Sequence, residues 1–203
     1  MRELARTQLP FIDKCYPFAE LAAGTHFVDV ASGEGNLSFF LARKLPTATF
    51  ELQDHETVLL QARIACDPGL AGRLSFRAHD MFNDQPPIDR TLCEQGVVFL
   101  LKIILHDHDD NQCHRILTAI VSQMALEDRL LIIETVLPEI GGSLSSSLSD
   151  VIILSMFGAG HRTLQEWTSL IESSGQVNIQ TYGGGATEYD GMMVFEVRKT
   201  GRT

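Results

Sequence analysis

Three short stretches of the sequence carry polar groups suited to a nucleoside, and a fourth is dense in histidine and aspartate. The first, Val28-Asp29-Val30-Ala31-Ser32-Gly33-Glu34-Gly35, ends an apolar run in small residues, which let a ligand approach the backbone before a helix opens at Asn36. A GxG turn also serves plain tight turns, so alone it leaves both uses open. Asp54 follows about 20 residues beyond that turn, the separation expected of a carboxylate that hydrogen-bonds ribose hydroxyls. It is also placed to cap a helix from Glu56. Asp80-Met81-Phe82 sets an acceptor for an exocyclic amine beside an apolar pair able to face a purine, or else forms a loop turn with a core methionine. The fourth stretch, Lys102 to Asp110, reads KIILHDHDD.

These residues need elements that bring them to one edge, and the apolar pattern supplies them. Strands are predicted at His26–Ala31, Thr49–Gln53, Leu74–Ala78, Gly96–Leu101 and Arg129–Glu134, the last two as nearly continuous apolar runs covered on both faces. Helical spacing fills the intervals at Asn36–Leu45, Glu56–Cys66 and Asn111–Met124. Beyond them, helices are expected at Leu148–Phe157 and Leu164–Ser173, then strands at Val177–Thr181 and Met192–Val197. Alternation of this kind predicts an α/β fold: a mostly parallel sheet with right-handed crossovers, helices on both faces and a closing antiparallel hairpin. In such sheets ligands bind outside the carboxyl ends of the strands, where all four polar stretches fall.

At 203 residues the chain has one domain's length, enough to bury about 70% of the surface its unfolded form exposes. Its 16 Lys and Arg against 26 Asp and Glu leave a net charge of −10, which opposes nucleic acid and anionic membranes as partners. The longest apolar stretch, GVVFLLKIIL from Gly96, is broken by Lys102 and far short of the roughly 20 residues of a membrane span. The opening MRELARTQLPFIDKC carries both signs of charge where a signal peptide needs an apolar centre, so a cytoplasmic protein is expected. Its 4 cysteines, Cys15, Cys66, Cys93 and Cys113, form no CxxC pair and read as reduced thiols, with no metal site.

Taken in order, the motifs resemble the catalytic domain of the plant and fungal class I O-methyltransferases that use S-adenosylmethionine, the caffeate and flavonoid type with its fungal secondary-metabolite members. The matching pieces are FVDVASGEG for the family's VDVGGGTG, LQD, AHDMF, LLKIILHDHDD for MKWxxHDWxD, IIETVLP for xxExxLP, and GAGHRTLQEW for GGKERTxxEW. They run from about Lys14 to Val197. The resemblance implies the family's Rossmann-like seven-stranded sheet, with residues 21–203 as the methyltransferase domain and 1–20 as the end of a helical region.

Position by position, it implies that Ala31, Gly33 and Gly35 line the methionine end of the cofactor, that Asp54 with His55 holds the ribose, that Asp80 and Met81 meet adenine, and that Lys102 lies near the cofactor carboxylate. The less favoured alternative for Lys102 is a strand-end lysine snorkelling to solvent. His106 falls on the family's catalytic histidine, Glu134 on the acid that orients it, and Asp107 follows as in the family. His161 replaces a glutamate that supports the histidine; alternatively it is a solvent-facing loop residue. A phenol with a pKa of about 10 is ionised in roughly one molecule per thousand at neutral pH, so a histidine base removes a large handicap and no metal is needed.

The implied acceptor is a phenolic or enolic, polyketide-like metabolite. Two other readings stay open: a relative that keeps the cofactor as a bound cation for dehydration or pericyclic chemistry, and a non-catalytic partner protein. Because Leu9-Pro10-Phe11-Ile12 and Leu148–Phe157 have no evident cover in the sequence, a homodimer or partner subunit is expected.

Overall fold

The computed structural model describes residues 8–90, 93, 95–138, 160–183 and 191–201. The expected helix at Leu148–Phe157 lies outside them. Eight strands are present: β1 His26–Val30, β2 Thr49–Asp54, β3 Leu74–Ala78, β4 Val97–Lys102, β5 Arg129–Leu137, β6 Arg162–Thr163, β7 Val177–Gly183 and β8 Met192–Lys199. Their order is β3-β2-β1-β4-β5-β8-β7, with the two-residue β6 pairing β5 off that path. Pairing is parallel from β3 through β5, and β8 turns antiparallel against β5 and β7. The expected seven-stranded mixed sheet is therefore present, with β6 as an addition too short for a pattern to reveal.

Helices α1 Leu9–Cys15, α2 Asn36–Lys44 and α3 Glu56–Ala65 share one apolar layer with Phe27, Phe50, Leu52, Leu100 and Leu131. Helices α4 Asp110–Gln123 and α5 Leu164–Glu172 share the other with Val28, Val30, Phe99, Leu101 and Ile132. Alternate residues of each central strand thus feed opposite layers, which is why β4 is buried over its first five residues. At about 1.5–3 kcal/mol for each large apolar side chain withdrawn from water, the two layers dominate the stability.

Both helices of the second layer start on side-chain caps. Asp109 and Gln112 form a reciprocal capping box at α4, as Thr163 and Glu166 do at α5.

One expectation is corrected here. Leu9 and Ile12 are buried, because α1 turns its Leu9, Ile12 and following Tyr16 onto the layer that contains Met192 and Val194 of β8. The segment therefore packs on the face of the sheet over β8, with Leu9 and Ile12 covered and Pro10 left exposed. No helix among the described residues is long and apolar enough to cross a membrane.

Candidate active site

Strand order reverses direction of travel between β1 and β4, which opens a crevice at their carboxyl ends. On the β1 side the chain leaves the strand through Ala31, Gly33 and Gly35, all left-handed, with φ of 54°, 58° and 77°. Gly35 is sterically required: a Cβ there would stand 2.4 Å from Leu52 Cδ2 and 3.0 Å from Phe39 Cζ. Gly35 stands at the N-cap of α2 and makes no side-chain cap, so the loop meets the positive end of that helix's dipole.

Asp54 ends β2 half-buried, accepting from the Gly33 N–H at 2.8 Å through Oδ2 and from the His55 N–H at 2.7 Å through Oδ1. It does not cap the next helix; His55 occupies that position. Each oxygen keeps capacity for a further donor, so Asp54 fits a ribose diol while it ties the ends of β1 and β2 together.

Past β3, Asp80 Oδ1 accepts from the Phe82 N–H at 3.0 Å, and Met81 and Phe82 pack on the second apolar layer. The Phe82 ring meets His108 edge-on, with centroids 5.3 Å apart. These residues fit S-adenosylmethionine: glycines where a backbone must come close, two carboxylates at successive strand ends, and an apolar wall beside the second.

Across the crevice the site is more deeply buried. His106 sits in a one-turn 3-10 helix, Leu105–Asp107, and its Nδ1 lies 2.9 Å from Glu134 Oε2. Glu134 is fully buried in β5, and its Oε1 accepts from the N–H groups of Ile104 at 2.9 Å and Leu105 at 2.8 Å. Those two amides converge because Ile103 adopts φ 56°, an outlier for a β-branched residue, immediately after donating to Ile133 O at 2.9 Å. Among the described residues Ala31 and Ile103 are the non-glycines with positive φ, one at each neighbouring strand end. Strain of about 1–3 kcal/mol each persists at sites that the surroundings over-determine.

Burial pulls the His106 pKa down, but the hydrogen bond and charge of Glu134, with Asp107, outweigh burial and the opposing charge of Arg162, so the net shift is upward. Asp107 Oδ1 stands 3.2 Å from His106 Nε2, so carboxylates flank both ring nitrogens. His161 stacks on the His106 ring with centroids 5.6 Å apart and planes 18° from parallel. It faces the site, not open solvent.

Lys102 ends β4 largely buried; burial lowers its pKa against the charges of Asp29 and Glu134. Asp29 lies in β1 and accepts from the Ser38 hydroxyl at 2.6 Å, and burial pushes its pKa up to about 6 against Ser38 and Lys102. The sequence reading passed over Asp29, although a lone acid within the apolar run HFVDV was its signal. It also passed over Arg162, a residue inside the motif GAGHRTLQEW whose contacts depend on folding β6 beside the His106 turn.

The O-methyltransferase domain family matches residues 7–176, and the chain belongs to that family. It is 52% identical over 200 residues to "O-methyltransferase SAT18" of Stachybotrys chartarum, covering 98% of this chain and 50% of that protein. Among solved structures it resembles the mitomycin 7-O-methyltransferase MmcR at 26% identity and TM-score 0.81, covering 97% of this chain and 54% of that one. LepI in complex with SAM aligns at 27% identity and TM-score 0.77, over 92% of this chain and 47% of that one. The chain thus spans about half the length of SAT18 and of both solved chains.

Proposed function

We propose that this chain is the catalytic domain of an S-adenosylmethionine-dependent O-methyltransferase that acts on a phenolic or enolic small metabolite. The observation that supports it above the others is the buried Glu134–His106 pair, linked through the facing charges of Lys102 and Asp29 to Asp54 at the end of β2. The cofactor, when bound, supplies a methyl group on a positively charged sulfur. Ala31, Gly33, Gly35, Asp54, His55, Asp80, Met81 and Lys102 are the residues that would hold it.

Glu134 accepts the Nδ1 proton of His106 and so leaves Nε2 with the lone pair that takes the acceptor's hydroxyl proton. Asp107, on the more exposed side of the turn, must swing aside for the acceptor to reach Nε2. With its proton taken up at Nε2, the acceptor oxygen would bond to the methyl carbon as that carbon's bond to sulfur breaks and S-adenosylhomocysteine leaves, while Glu134 stabilises the imidazolium that results. Holding oxygen and methyl carbon in line supplies several further kcal/mol, of the roughly 7–11 that orientation can reach. His161, stacked on the same ring, supports its orientation.

Methyl-labelled S-adenosylmethionine offered with a panel of dihydroxynaphthalenes tests the reading. Label should pass to an acceptor with the parent chain and not with His106→Ala, while S-adenosylhomocysteine binds both equally. Parental label transfer by His106→Ala overturns the base assignment; turnover of an acceptor without label transfer overturns methylation. We further propose that the chain works as a homodimer or with a partner subunit, on the strength of the apolar run Leu148–Phe157. Sedimentation of a fully active monomer would contradict this.

A further inference from the structure

Arg162 makes contacts that the reading above leaves unused. It stands on β6, held beside Val136 of β5, and its side chain is only 11% exposed. One terminal nitrogen donates to His108 O at 3.0 Å and to Asp110 Oδ1 at 2.8 Å, the other to Leu105 O at 3.3 Å. Its guanidinium carbon lies 4.9 Å from the centroid of Trp167, whose indole N–H donates to Thr135 O at 3.1 Å. The base of the guanidinium is therefore fixed to β5 by an aromatic platform while its fork points at the turn.

Leu105 and His108 are the residues on either side of His106-Asp107. The turn closes on a bond from the His108 N–H to Leu105 O at 3.2 Å, a 3-10 bond of poorer geometry than an α-helical one, so further donors to the Leu105 and His108 carbonyls strengthen it. The same two are reached from α4 by the Cys113 thiol, at 3.1 and 3.4 Å. Burial pushes that thiol up to about 12, so it remains a neutral, weak donor. Arg162 adds a charged donor whose planar fork matches two acceptors at once.

We propose that Arg162 is a positioning residue for proton transfer at His106: bridging the carbonyls that flank His106-Asp107, it fixes the turn that aims the imidazole and sets a positive charge against the two carboxylates around it. This rests on His106 being the base. The groups facing that ring are Glu134 from β5, Asp107 from its own turn, His161 stacked upon it, and Arg162 from β6. Glu134 and Asp107 favour the imidazolium and Arg162 opposes it, so loss of Arg162 leaves the ring protonated to higher pH. The His108 N–H bond to Leu105 O and the Cys113 thiol, shared between the two carbonyls, remain when the arginine is replaced.

The test follows the His106 ring by NMR titration in the whole chain, with the signal assigned by its loss in His106→Ala, and needs no acceptor. In Arg162→Met the midpoint should rise; in Arg162→Lys, which keeps the charge but not the fork, it should stay close to the parent. Methyl transfer to a dihydroxynaphthalene should fall up to about 100-fold in kcat in both variants, with KM for S-adenosylmethionine within twofold. Should Arg162→Met fail to fold, Arg162→Gln carries the same expectation. An unchanged midpoint in a folded neutral variant, or parental kcat in both variants, overturns the proposal. Parental turnover by His106→Ala would instead remove the base reading, and the titration would still decide what Arg162 does to the ring.

Discussion

Asp54 ends β2 and Glu134 lies in β5 just past its parallel ladder with β4, and both carboxylates accept two backbone N–H groups, yet they are held differently. Asp54 spends one bond on each oxygen, sits half-buried and keeps acceptor capacity toward the crevice. Glu134 takes both amides on Oε1, is wholly buried and turns Oε2 to a single partner, His106. One arrangement ties loops together and leaves acceptor capacity for a ligand; the other fixes the direction of one ring and favours one of its tautomers. The β1 side can therefore absorb a change such as alanine at position 31, whereas the β5 side has no slack.

The largest effect should come from Glu134→Gln. With its oxygen kept on the Ile104 and Leu105 amides, the new NH2 group must donate to His106 Nδ1, which puts the ring proton on Nε2 and removes the base. Single-turnover methyl transfer should fall by roughly 10³ to 10⁴, the scale seen when a triad histidine is forced into the wrong tautomer. Turnover within tenfold of the parent would erase the contrast between the two carboxylates. Asp54→Ala should act on binding instead, weakening S-adenosylhomocysteine by about 1.5 to 3 kcal/mol in calorimetry, as for a hydrogen bond to a charged group. Equal affinity would remove its ribose assignment.

Asp107 sharpens the comparison through pH. As the proposed base His106 acts in its neutral form, and because its pKa is raised, turnover should climb with pH along a limb placed above the ordinary histidine value of about 6.5. Asp107 contributes to that rise, so Asp107→Asn should lower the His106 pKa and move the limb to lower pH. A limb that does not move would mean that Asp107 does not face the ring in the free enzyme.

Much of the fold was legible because the central strands are apolar throughout and the helices between them follow a clean 3.6-residue period. Asp54 and Asp80 could be found for the same reason, since each falls at or just past the end of a strand, whereas Glu134 lies within β5 and was implied by the resemblance of IIETVLP to the family motif. What escaped reading was set by contacts between distant elements. The cover that α1 gives to β8 joins residues at opposite ends of the chain, and nothing in LPFI distinguishes a covered face from an exposed one. Arg162 resembles any polar residue before a helix until β6 pairs with β5. The left-handed turn at Ile103 runs against the preference of its residue type, so local propensity pointed away from it.

The smallest effect expected lies at Ala31, and it tests whether the β1 side has the slack inferred for it. An L-residue at φ 54° costs roughly 1–2 kcal/mol relative to glycine, while glycine gives back about 0.4–1 kcal/mol through the greater freedom of the unfolded chain. Ala31→Gly should therefore stabilise the protein by about 0.5 kcal/mol, which for a chain of this size moves Tm by about 1–2 °C. If the Cβ also stands in the cofactor's path, S-adenosylhomocysteine should bind more tightly as well, and the two gains separate in calorimetry and thermal melts. A variant that melts lower and binds more weakly would show that alanine is part of the site, and that the β1 loop is as tightly specified as the turn around Glu134.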